Sequence, residues 1–398
     1  MAQGITYSPF LVLPSKSATT LLPMSILVTG FPTSFVALRL VEALLDEGDG
    51  AEPIICLVPE RFFARAEAIK QRLPQPTRVQ LIEGDVASID MGLSGAEYMQ
   101  LLREVRIIHH CAAVKHPAAP IELARRTNVQ GTREVIEFAQ SAGPRFERLV
   151  HWSTTLVSGK REGLIREEEL VPTQFHNAIE ESCFHAESIV RRAMKKGLPI
   201  TILRPSIIVG DSQTGAIDRL DGPYLLILWL LNTPVDTSPL IPLPPDATLH
   251  LVPVDYAVRA GCVISKDPTA IGRTFHLVDP RPPTLRNFFD IVAMSLGRPP
   301  PRFLLPKKLS WSLLHLPGVN LITKLPSDFL EQVAKQVTYD DGNARSILSP
   351  HNIECTPFER YVTSMVQHVR IRNNREQPGL PWDAWDAIDE NEEPQPLQ

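Results

Sequence analysis

The sequence predicts an α/β protein with a doubly wound parallel sheet and a smaller C-terminal lobe that is interleaved with the sheet. Between residues 25 and 210, short apolar runs typical of buried strands alternate with segments whose apolar residues recur at helical spacing. Beyond about residue 210 this alternation ends, and prolines crowd 234–253 and 280–306. Alternating strands and helices form a parallel sheet that binds ligands at the carboxyl ends of its strands.

Each predicted element depends on its own local pattern. The first helix, for example, carries Val36, Leu40, Val41 and Leu44 at helical spacing, directly after a short apolar run. The predicted strands of the sheet cover 26–28, 54–58, 79–82, 107–111, 148–153 and 200–204. The predicted helices cover 35–45, 61–73, 127–141, 178–196, 285–297 and 327–337.

These elements divide the chain into four parts. The predicted core is 25–210, and the lobe is 211–372, of which about 249–280 returns to the sheet. Residues 1–24 are expected to form a disordered extension, and the sequence leaves open whether translation starts at Met1 or Met24. Residues 373–398 are rich in acidic side chains and proline, which predicts a flexible tail.

Composition excludes several classes of function. The net charge is −5 and no run of Lys or Arg stands out, so nucleic-acid binding is not expected. The five cysteines are scattered without CxxC spacing, which argues against a zinc site, any other metal site or a disulfide framework and favours a reducing, cytoplasmic location. The longest apolar run, 224–231, is far shorter than the roughly 18–20 residues of a transmembrane helix.

A series of short motifs resembles a known family. In chain order they are Thr29-Gly30, Gly84-Asp85, His110-Cys111-Ala112-Ala113, Asn128-Val129, Ser153-Thr154-Thr155, Arg204-Pro205-Ser206 and Val252-Pro253-Val254-Asp255. Over roughly 25–370 the chain resembles the extended short-chain dehydrogenases/reductases, and within them the fatty-acyl-CoA (male sterility) and thioester reductases. The resemblance implies a Rossmann core that binds NAD or NADP, and a lobe that accepts a small-molecule or acyl-chain ligand. It is also compatible with a homodimer.

The resemblance also exposes a loss. Members of the family carry a catalytic tyrosine and lysine four residues apart, and here Ile179 and Cys183 occupy those positions. In the family the tyrosine gives a proton to the substrate oxygen, while the lysine lowers the pKa of the phenol and holds the nicotinamide ribose. Isoleucine has no proton to give, and a thiol does not carry the charge of an ammonium group. A positioned acid contributes about 10²–10⁴ in rate, so the usual reaction should be slower by at least this factor. Because the tyrosine depends on the lysine to lower its pKa, both residues would have to be restored.

Three other residues are catalytic candidates. Thr154 lies five residues before Gly159, the spacing of the family's catalytic Ser/Thr, and Ser153 is the alternative. Both could instead satisfy local backbone groups. His176 lies three residues before Ile179 and would share its face if the helix already runs there, but a lone histidine near a helix start is more often a capping or surface residue. Cys183 is not expected to be a nucleophile, because nothing near it in sequence would lower its pKa.

The expected cofactor groove is partly altered. The family's Gly-x-x-Gly-x-x-Gly loop keeps Gly30 but has Thr33 and Val36 at the other two glycines, so both a weak dinucleotide site and an empty, vestigial cleft are consistent with it. Arg61 could bind the 2′-phosphate of NADP, and Glu60 could accept from the ribose of NAD, so the choice of cofactor stays open. The remaining residues that the resemblance assigns to the cofactor are Thr29, Asp85, Val86, Ala112, Ala113, Asn128, Pro205 and Ser206.

Two functions therefore compete. One is a dinucleotide-binding protein that has lost catalysis and keeps a binding or regulatory role. The other is a reductase of a thioester, aldehyde or ketone that draws its proton from water, His176 or Thr154. The Leu- and Trp-rich segments 225–232 and 309–322 are predicted to line the wall of the lobe, although ordinary core packing is the alternative.

Overall fold

Seven parallel strands form the central sheet of this protein, whose computed structural model describes residues 24–46, 52–116, 119–232, 240–241, 244–301, 303–304 and 327–374. The strand order is β3-β2-β1-β4-β5-β7-β11, all in parallel register, as in the pairs Val28–Cys56 and Thr29–His110. The chain order reverses between β1 and β4, which is where a doubly wound sheet opens a ligand crevice. The predicted fold class is confirmed. The strands are β1 Ser25–Thr29, β2 Ile54–Val58, β3 Val79–Glu83, β4 Val105–His110, β5 Arg148–Trp152, β6 Gly163–Ile165, β7 Ile200–Pro205, β8 Ile207–Val209, β9 Leu240–Ile241, β10 Leu251–Pro253, β11 Thr274–Leu277, β12 Phe303–Leu304 and β13 Val337–Tyr339.

Helices cover both faces of the sheet. One face packs against α1 and α8, and the other against α3, α5 and α6. A π-helical segment, Arg125–Gln130, connects α4 to α5. The helices are α1 Phe35–Asp46, α2 Phe63–Lys70, α3 Gly95–Glu104, α4 Ile121–Ala124, α5 Gly131–Ser141, α6 Ala178–Lys195, α7 Pro223–Asn232, α8 Val254–Lys266, α9 Leu285–Leu296, α10 Ser327–Ala334, α11 Gly342–Leu348 and α12 Phe358–Asn374.

The C-terminal part has a hydrophobic core of its own. It forms mainly between α7, α9 and α12, where the Phe288 and Phe358 rings stack at a centroid distance of 5.3 Å. Two short parallel pairs, β6 with β13 and β8 with β10, connect this part to the sheet-forming core. They bring 337–339 and 251–253 close to the ends of β5 and β7.

Several elements differ from the sequence prediction. The predicted helix 61–73 is an α-helix only over Phe63–Lys70, preceded by a single 3₁₀ turn at Glu60–Phe62. The last helix runs to Asn374, beyond the predicted start of the tail at 373. The predicted extension (except Met24), most of the tail and the segment 309–322 lie outside the described residues.

Candidate functional site

A tight turn after β1 opens the candidate site. Gly30 has a φ of +92°, and a Cβ at this position would lie 2.8 Å from the backbone nitrogen of Ala112. Both the left-handed conformation and this close approach require glycine. The Gly30 carbonyl accepts hydrogen bonds from the Thr33 and Ser34 amides, at 2.9 and 2.7 Å. Gly30 therefore still makes the tight turn from β1 to α1, although the other two glycines of the family's loop are absent.

The rest of this loop is less suited to a phosphate. The exposed Thr33 hydroxyl donates to the Gly30 carbonyl at 3.1 Å, so it is engaged within the loop. Pro32 has no amide hydrogen to offer. Val36, at the third glycine position, is 8% exposed and packs in the core beneath the loop. The N-terminus of α1 still faces the crevice and supplies a positive dipole end.

A chain of hydrogen bonds fixes Ala112 beside this turn. Thr132 donates its hydroxyl hydrogen to the Asn128 carbonyl at 2.6 Å, so it must accept from His110 Nε2 at 3.1 Å. His110 Nδ1 then accepts from the Thr29 hydroxyl at 2.8 Å, and Thr29 Oγ1 accepts from the Ala112 amide at 3.3 Å. Burial lowers the pKa of His110 well below its usual value, which keeps the ring neutral. Thr29 therefore positions backbone and is not itself exposed to a ligand.

Asp85 and Val86, which the resemblance assigns to the adenosine side, follow β3. Asp85 accepts from the Ala87 amide at 2.9 Å and from Arg126 at 3.3 Å. Val86 is buried against Gly131, where a Cβ would lie 2.9 Å from Val86 Cγ2.

The turn after β2 carries both candidate groups for choosing between NAD and NADP. Arg61 is exposed and lies 4.7 Å from the centroid of the Phe62 ring, with the exposed Glu60 adjacent. The geometry does not favour one cofactor over the other.

At the carboxyl end of β5 the two hydroxyl candidates have different surroundings. The Ser153 hydroxyl donates to Glu187 at 2.7 Å, within a buried ion-pair network in which Arg204 makes two hydrogen bonds to the same carboxylate. Burial alone would raise the pKa of Glu187, but Arg204 and Arg191 lower it to about 2. Ser153 thus belongs to the fixed framework.

The Thr154 hydroxyl is not part of this network. It is 5% exposed and accepts from the Leu156 amide at 3.3 Å. In the described part of the chain no hydrogen-bonded acceptor takes its own hydrogen, which leaves that hydrogen for a ligand.

The positions of the lost tyrosine and lysine lie on the buried face of α6. Ile179 is 3% and Cys183 is 7% exposed. Between them, Ser182 accepts from Asn128 Nδ2 at 2.8 Å, and the same amide group donates to the Val114 carbonyl. Asn128 therefore ties the loop after β4 to α6, which is a positioning role.

His176 lies just before the helix. Asn177 caps α6 by accepting from the Ile179 and Glu180 amides at 3.1 and 3.0 Å, so the helix does not extend to His176. The condition under which His176 would share the face of Ile179, a helix that already runs at 176, is therefore not met. Instead the side chain is 4% exposed, and its Nδ1 lies 2.9 Å from Glu180 Oε2. It is neither a cap nor a surface residue.

A cation that sequence reasoning missed lies beside Cys183. Lys115, in the loop after β4, points its Nζ to the carbonyls of Ser153 and Trp152 at 3.0 and 3.4 Å. Burial raises the pKa of the Cys183 thiol, Lys115 partly opposes this, and the result is about 11. Cys183 therefore remains a thiol. The only sequence signal was a lysine shortly after the Ala-Ala motif.

A second polar group borders the cleft toward the C-terminal part. Ser158 donates to the Thr155 carbonyl at 2.8 Å and so accepts from the Tyr339 hydroxyl at 3.3 Å and from Lys335 at 3.2 Å. Tyr339 and Lys335 line one cleft together with Thr155, Ile207 and His250. These residues are far apart in the sequence and were not predicted.

His250 contributes an unpartnered acceptor to this cleft. Its Nε2 donates to the Val337 carbonyl at 2.9 Å, so Nδ1 carries the lone pair. Nδ1 is buried, and it has no hydrogen-bond partner in the described part of the chain.

Pro205 and Ser206, at the end of β7, directly precede Ile207, which lines this cleft. Pro205 pairs with Leu277 of β11, and the Ser206 amide donates to the Leu277 carbonyl at 3.1 Å. The buried Ser206 hydroxyl has no partner among the described residues. A polar atom of this kind is suited to a ligand.

The apolar segment 225–232 forms most of α7. Leu226, Ile227 and Leu230 are buried in the C-terminal core, and the Trp229 ring lies 6.4 Å from that of Phe289. Core packing accounts for the three buried side chains, and a role of the half-buried ones as a ligand wall stays a prediction.

Neither a membrane span nor a metal cluster occurs in the described ranges of the chain. They contain no helix that combines the length and the apolar character needed to span a bilayer. No cluster of three or more His, Cys, Asp or Glu side chains with metal-binding geometry occurs among them.

Comparisons with known proteins agree with this geometry. The profile of a family described as "Male sterility protein" matches residues 28–261. A linear gramicidin synthase of Brevibacillus parabrevis is 27% identical over 283 residues, which are 67% of this chain and 5% of that protein. L-2-aminoadipate reductase of Saccharomyces cerevisiae is 27% identical over 206 residues, which are 48% of this chain and 14% of that protein.

A solved structure extends the similarity to most of the chain. The crystal structure of the terminal R domain from the myxalamid PKS-NRPS biosynthetic pathway superposes with a TM-score of 0.73 at 27% identity, covering 90% of this chain and 94% of that domain. Among curated relatives such as these, the matched segment spans only 5–25% of their length. The chain belongs to the male sterility protein family, the thioester-reductase-like branch of the NAD(P)-binding extended short-chain dehydrogenases/reductases.

Proposed function

We propose that this protein binds a nicotinamide dinucleotide at the carboxyl ends of β1, β4 and β5 and has lost the family's tyrosine–lysine carbonyl reduction, so that its role is in binding or regulation. The observation that carries the proposal is the buried pair Ile179 and Cys183. Neither side chain is an acid of useful pKa, and both are packed rather than free to move toward a ligand.

The groove fits the cofactor in several respects. Gly30 and Ala112 keep the backbone close together and leave room for the pyrophosphate next to the N-terminus of α1. Thr154 would donate to a group near the nicotinamide, and the unpartnered Ser206 hydroxyl would find a partner there. The bound dinucleotide would supply or accept hydride. An acyl-chain or other small-molecule ligand would enter the cleft bordered by Ile207 and Tyr339.

Titration with NAD, NADH, NADP and NADPH, followed by calorimetry and thermal shift, tests this proposal. We expect weak binding, because Thr33 places a side chain where the phosphates must approach the backbone. Thr33→Gly should tighten binding about tenfold, whereas the matched control Thr33→Ser, which keeps the β-carbon, should not. The absence of any thermal shift at millimolar dinucleotide in wild type and Thr33→Gly would show that the groove is vestigial.

A second candidate is an active NAD(P)H-dependent reductase of an acyl thioester, aldehyde or ketone that uses a different proton donor. The observation that favours it is the convergence of Tyr339 and Lys335 on Ser158 in the cleft. As the substrate carbonyl carbon received hydride, its oxygen would take the phenol proton of Tyr339, and solvent would then reprotonate the phenolate. His176, paired with Glu180, is the other candidate donor.

Oxidation of NADPH in the presence of a medium-chain aldehyde separates these cases. The first proposal expects no turnover above background. Robust turnover that falls about 10²-fold in Tyr339→Phe, but not in the control Tyr98→Phe, would instead establish the second candidate with Tyr339 as the acid. The same loss in His176→Ala would assign the role to the histidine.

A further inference from the structure

Lys115, a half-buried residue, places its ammonium group at the carboxyl end of β5. Its Nζ donates to the Ser153 carbonyl at 3.0 Å and to the Trp152 carbonyl at 3.4 Å. An ammonium group has three hydrogens, so two carbonyls leave one donor for another partner. These two contacts hold the ammonium group in place at the end of β5.

This charge has no acidic counterpart nearby. In the part of the chain that the structure describes, no carboxylate lies within 4.0 Å of Lys115 Nζ. Burial lowers the pKa of Lys115. A partly desolvated cation without a counter-ion costs stability, whereas a neutral apolar side chain would fill the same space without that cost. The position of Lys115 therefore suggests a ligand.

The cavity around this ammonium group belongs to the expected cofactor groove. It is lined by Ala112 and Ala113, by Asn128 and Ser153, and by Cys183. Cys183 stands where the family has its lysine, so an ammonium group from another element lies beside the position that lacks one.

The uncharged residue at 183 is compatible with the positive charge of Lys115. A lysine at 183 together with Lys115 would bring two ammonium groups into one buried cavity, where their repulsion would be weakly screened. Cys183 is small and uncharged, which leaves room for Lys115. The substitution at 183 is thus compatible with a retained cation that arrives from the loop after β4.

We propose that Lys115 donates to the hydroxyls of the nicotinamide-side ribose of a bound dinucleotide, the contact that the lysine makes in intact members of the family. This inference rests on the proposed dinucleotide binding. It makes Lys115 a positioning residue for the nicotinamide half, with no contact to the adenosine half.

Calorimetric titration of the full chain with two kinds of ligand tests the assignment. In Lys115→Met, binding of NADH and NADPH should weaken about tenfold to a hundredfold, because a charge-assisted hydrogen bond is lost. ADP and adenosine 2′,5′-bisphosphate, which lack the nicotinamide ribose, should bind as they do to wild type. A merely structural role would change both ligand classes together.

Matched variants complete the experiment. Lys195→Met, at an exposed position in the last turn of α6, should leave both ligand classes unaffected. Lys115→Met with Cys183→Lys should recover dinucleotide binding, while Cys183→Lys alone should lower the melting temperature through repulsion. Lys115→Gln, which keeps a donor for the Ser153 carbonyl but loses the charge, provides a second test if the methionine variant does not fold.

The outcomes distinguish the two proposals. If wild type binds dinucleotides and neither Lys115 variant changes their affinity relative to ADP, the assignment of Lys115 is overturned and the proposed function stands. If wild type binds no dinucleotide at all, the proposed function fails and the role of Lys115 falls with it.

Discussion

The losses of the family's tyrosine and lysine, at the positions of Ile179 and Cys183, have different consequences. The charge of the lysine can be supplied by another residue, whereas the proton of the tyrosine has no replacement at its position. Lys115 brings a cation next to Cys183 through space. Ile179 is a buried apolar residue at the start of α6, and its side chain has no proton to give. The group that is missing at these two positions is therefore the proton donor.

This asymmetry changes what restoration requires. The sequence alone indicates that tyrosine and lysine must return together. With Lys115 in place, Ile179→Tyr alone should raise NADPH-dependent aldehyde reduction by about 10² over wild type. The gain should disappear in the double variant Ile179→Tyr with Lys115→Met. Equal activity in these two variants would refute the dependence on Lys115.

Single residues also show how far the sequence could lead. Gly30 was identified from its place after the first strand, and its φ of +92° accords with that interpretation. Lys115, Lys335 and Tyr339 escaped because motif spacing registers neighbours along the chain and not groups that tertiary contacts bring together. The pairing of β13 with β6, which carries Tyr339 to Ser158, has no local signature.

Elements with strong periodicity were predicted closely, and weakly amphipathic ones were not. The buried β2 and the long amphipathic α6 match the prediction to within one residue. α2, which lies within the predicted helix 61–73, buries only Ala66. The apolar pattern of the sequence was therefore too weak to predict where this helix begins and ends. α3, which begins with a capping box of Ser94 and Glu97, was not predicted.

One charged network holds α6, β5 and β7 together beneath the site. Glu187 of α6 accepts from Ser153, Arg191 and Arg204, and it is fully buried. Glu187→Gln would leave Arg204 buried without its counter-ion, and we expect the free energy of unfolding to fall by about 3–5 kcal/mol. Urea denaturation measures this. The control Glu181→Gln, at the exposed face of α6, should change it by less than about 0.5 kcal/mol.

The network has a defined pH range. The pKa of Glu187 is lowered to about 2 in the folded protein, so its stabilising contribution is fully present above the ordinary pKa of about 4.5 and is lost as pH falls toward 2. It cannot account for any loss of stability above pH 5.

For the whole molecule, buried histidines dominate the response to mild acid. Burial lowers the pKa of five of them: to about 3 for His109 and His276, to about 4 for His151 and His250, and well below the usual value for His110. A histidine with a lowered pKa stabilises the folded state above about pH 6.5, and this contribution is lost as pH falls, because the unfolded chain binds the proton first. Glu167, whose pKa burial raises to about 7, opposes this trend, as do Glu42, Asp218 and Asp279, whose pKa values burial also raises.

We therefore expect unfolding near pH 5.5 to take up protons, so that the free energy of unfolding falls as pH is lowered from 7.5 to 5, with a slope set by the number of protons taken up. Urea denaturation midpoints between pH 7.5 and 5 give this slope. His151→Phe should reduce it by about one proton with little loss of stability at neutral pH, because His151 Nδ1 has no hydrogen-bond partner in the described structure. His185→Asn, at an exposed position, is the control and should leave the slope as it is. A flat dependence of stability on pH above 5 would mean that these histidines are accessible to protons in the folded state, and that the core beneath the dinucleotide groove is more open than its packing indicates.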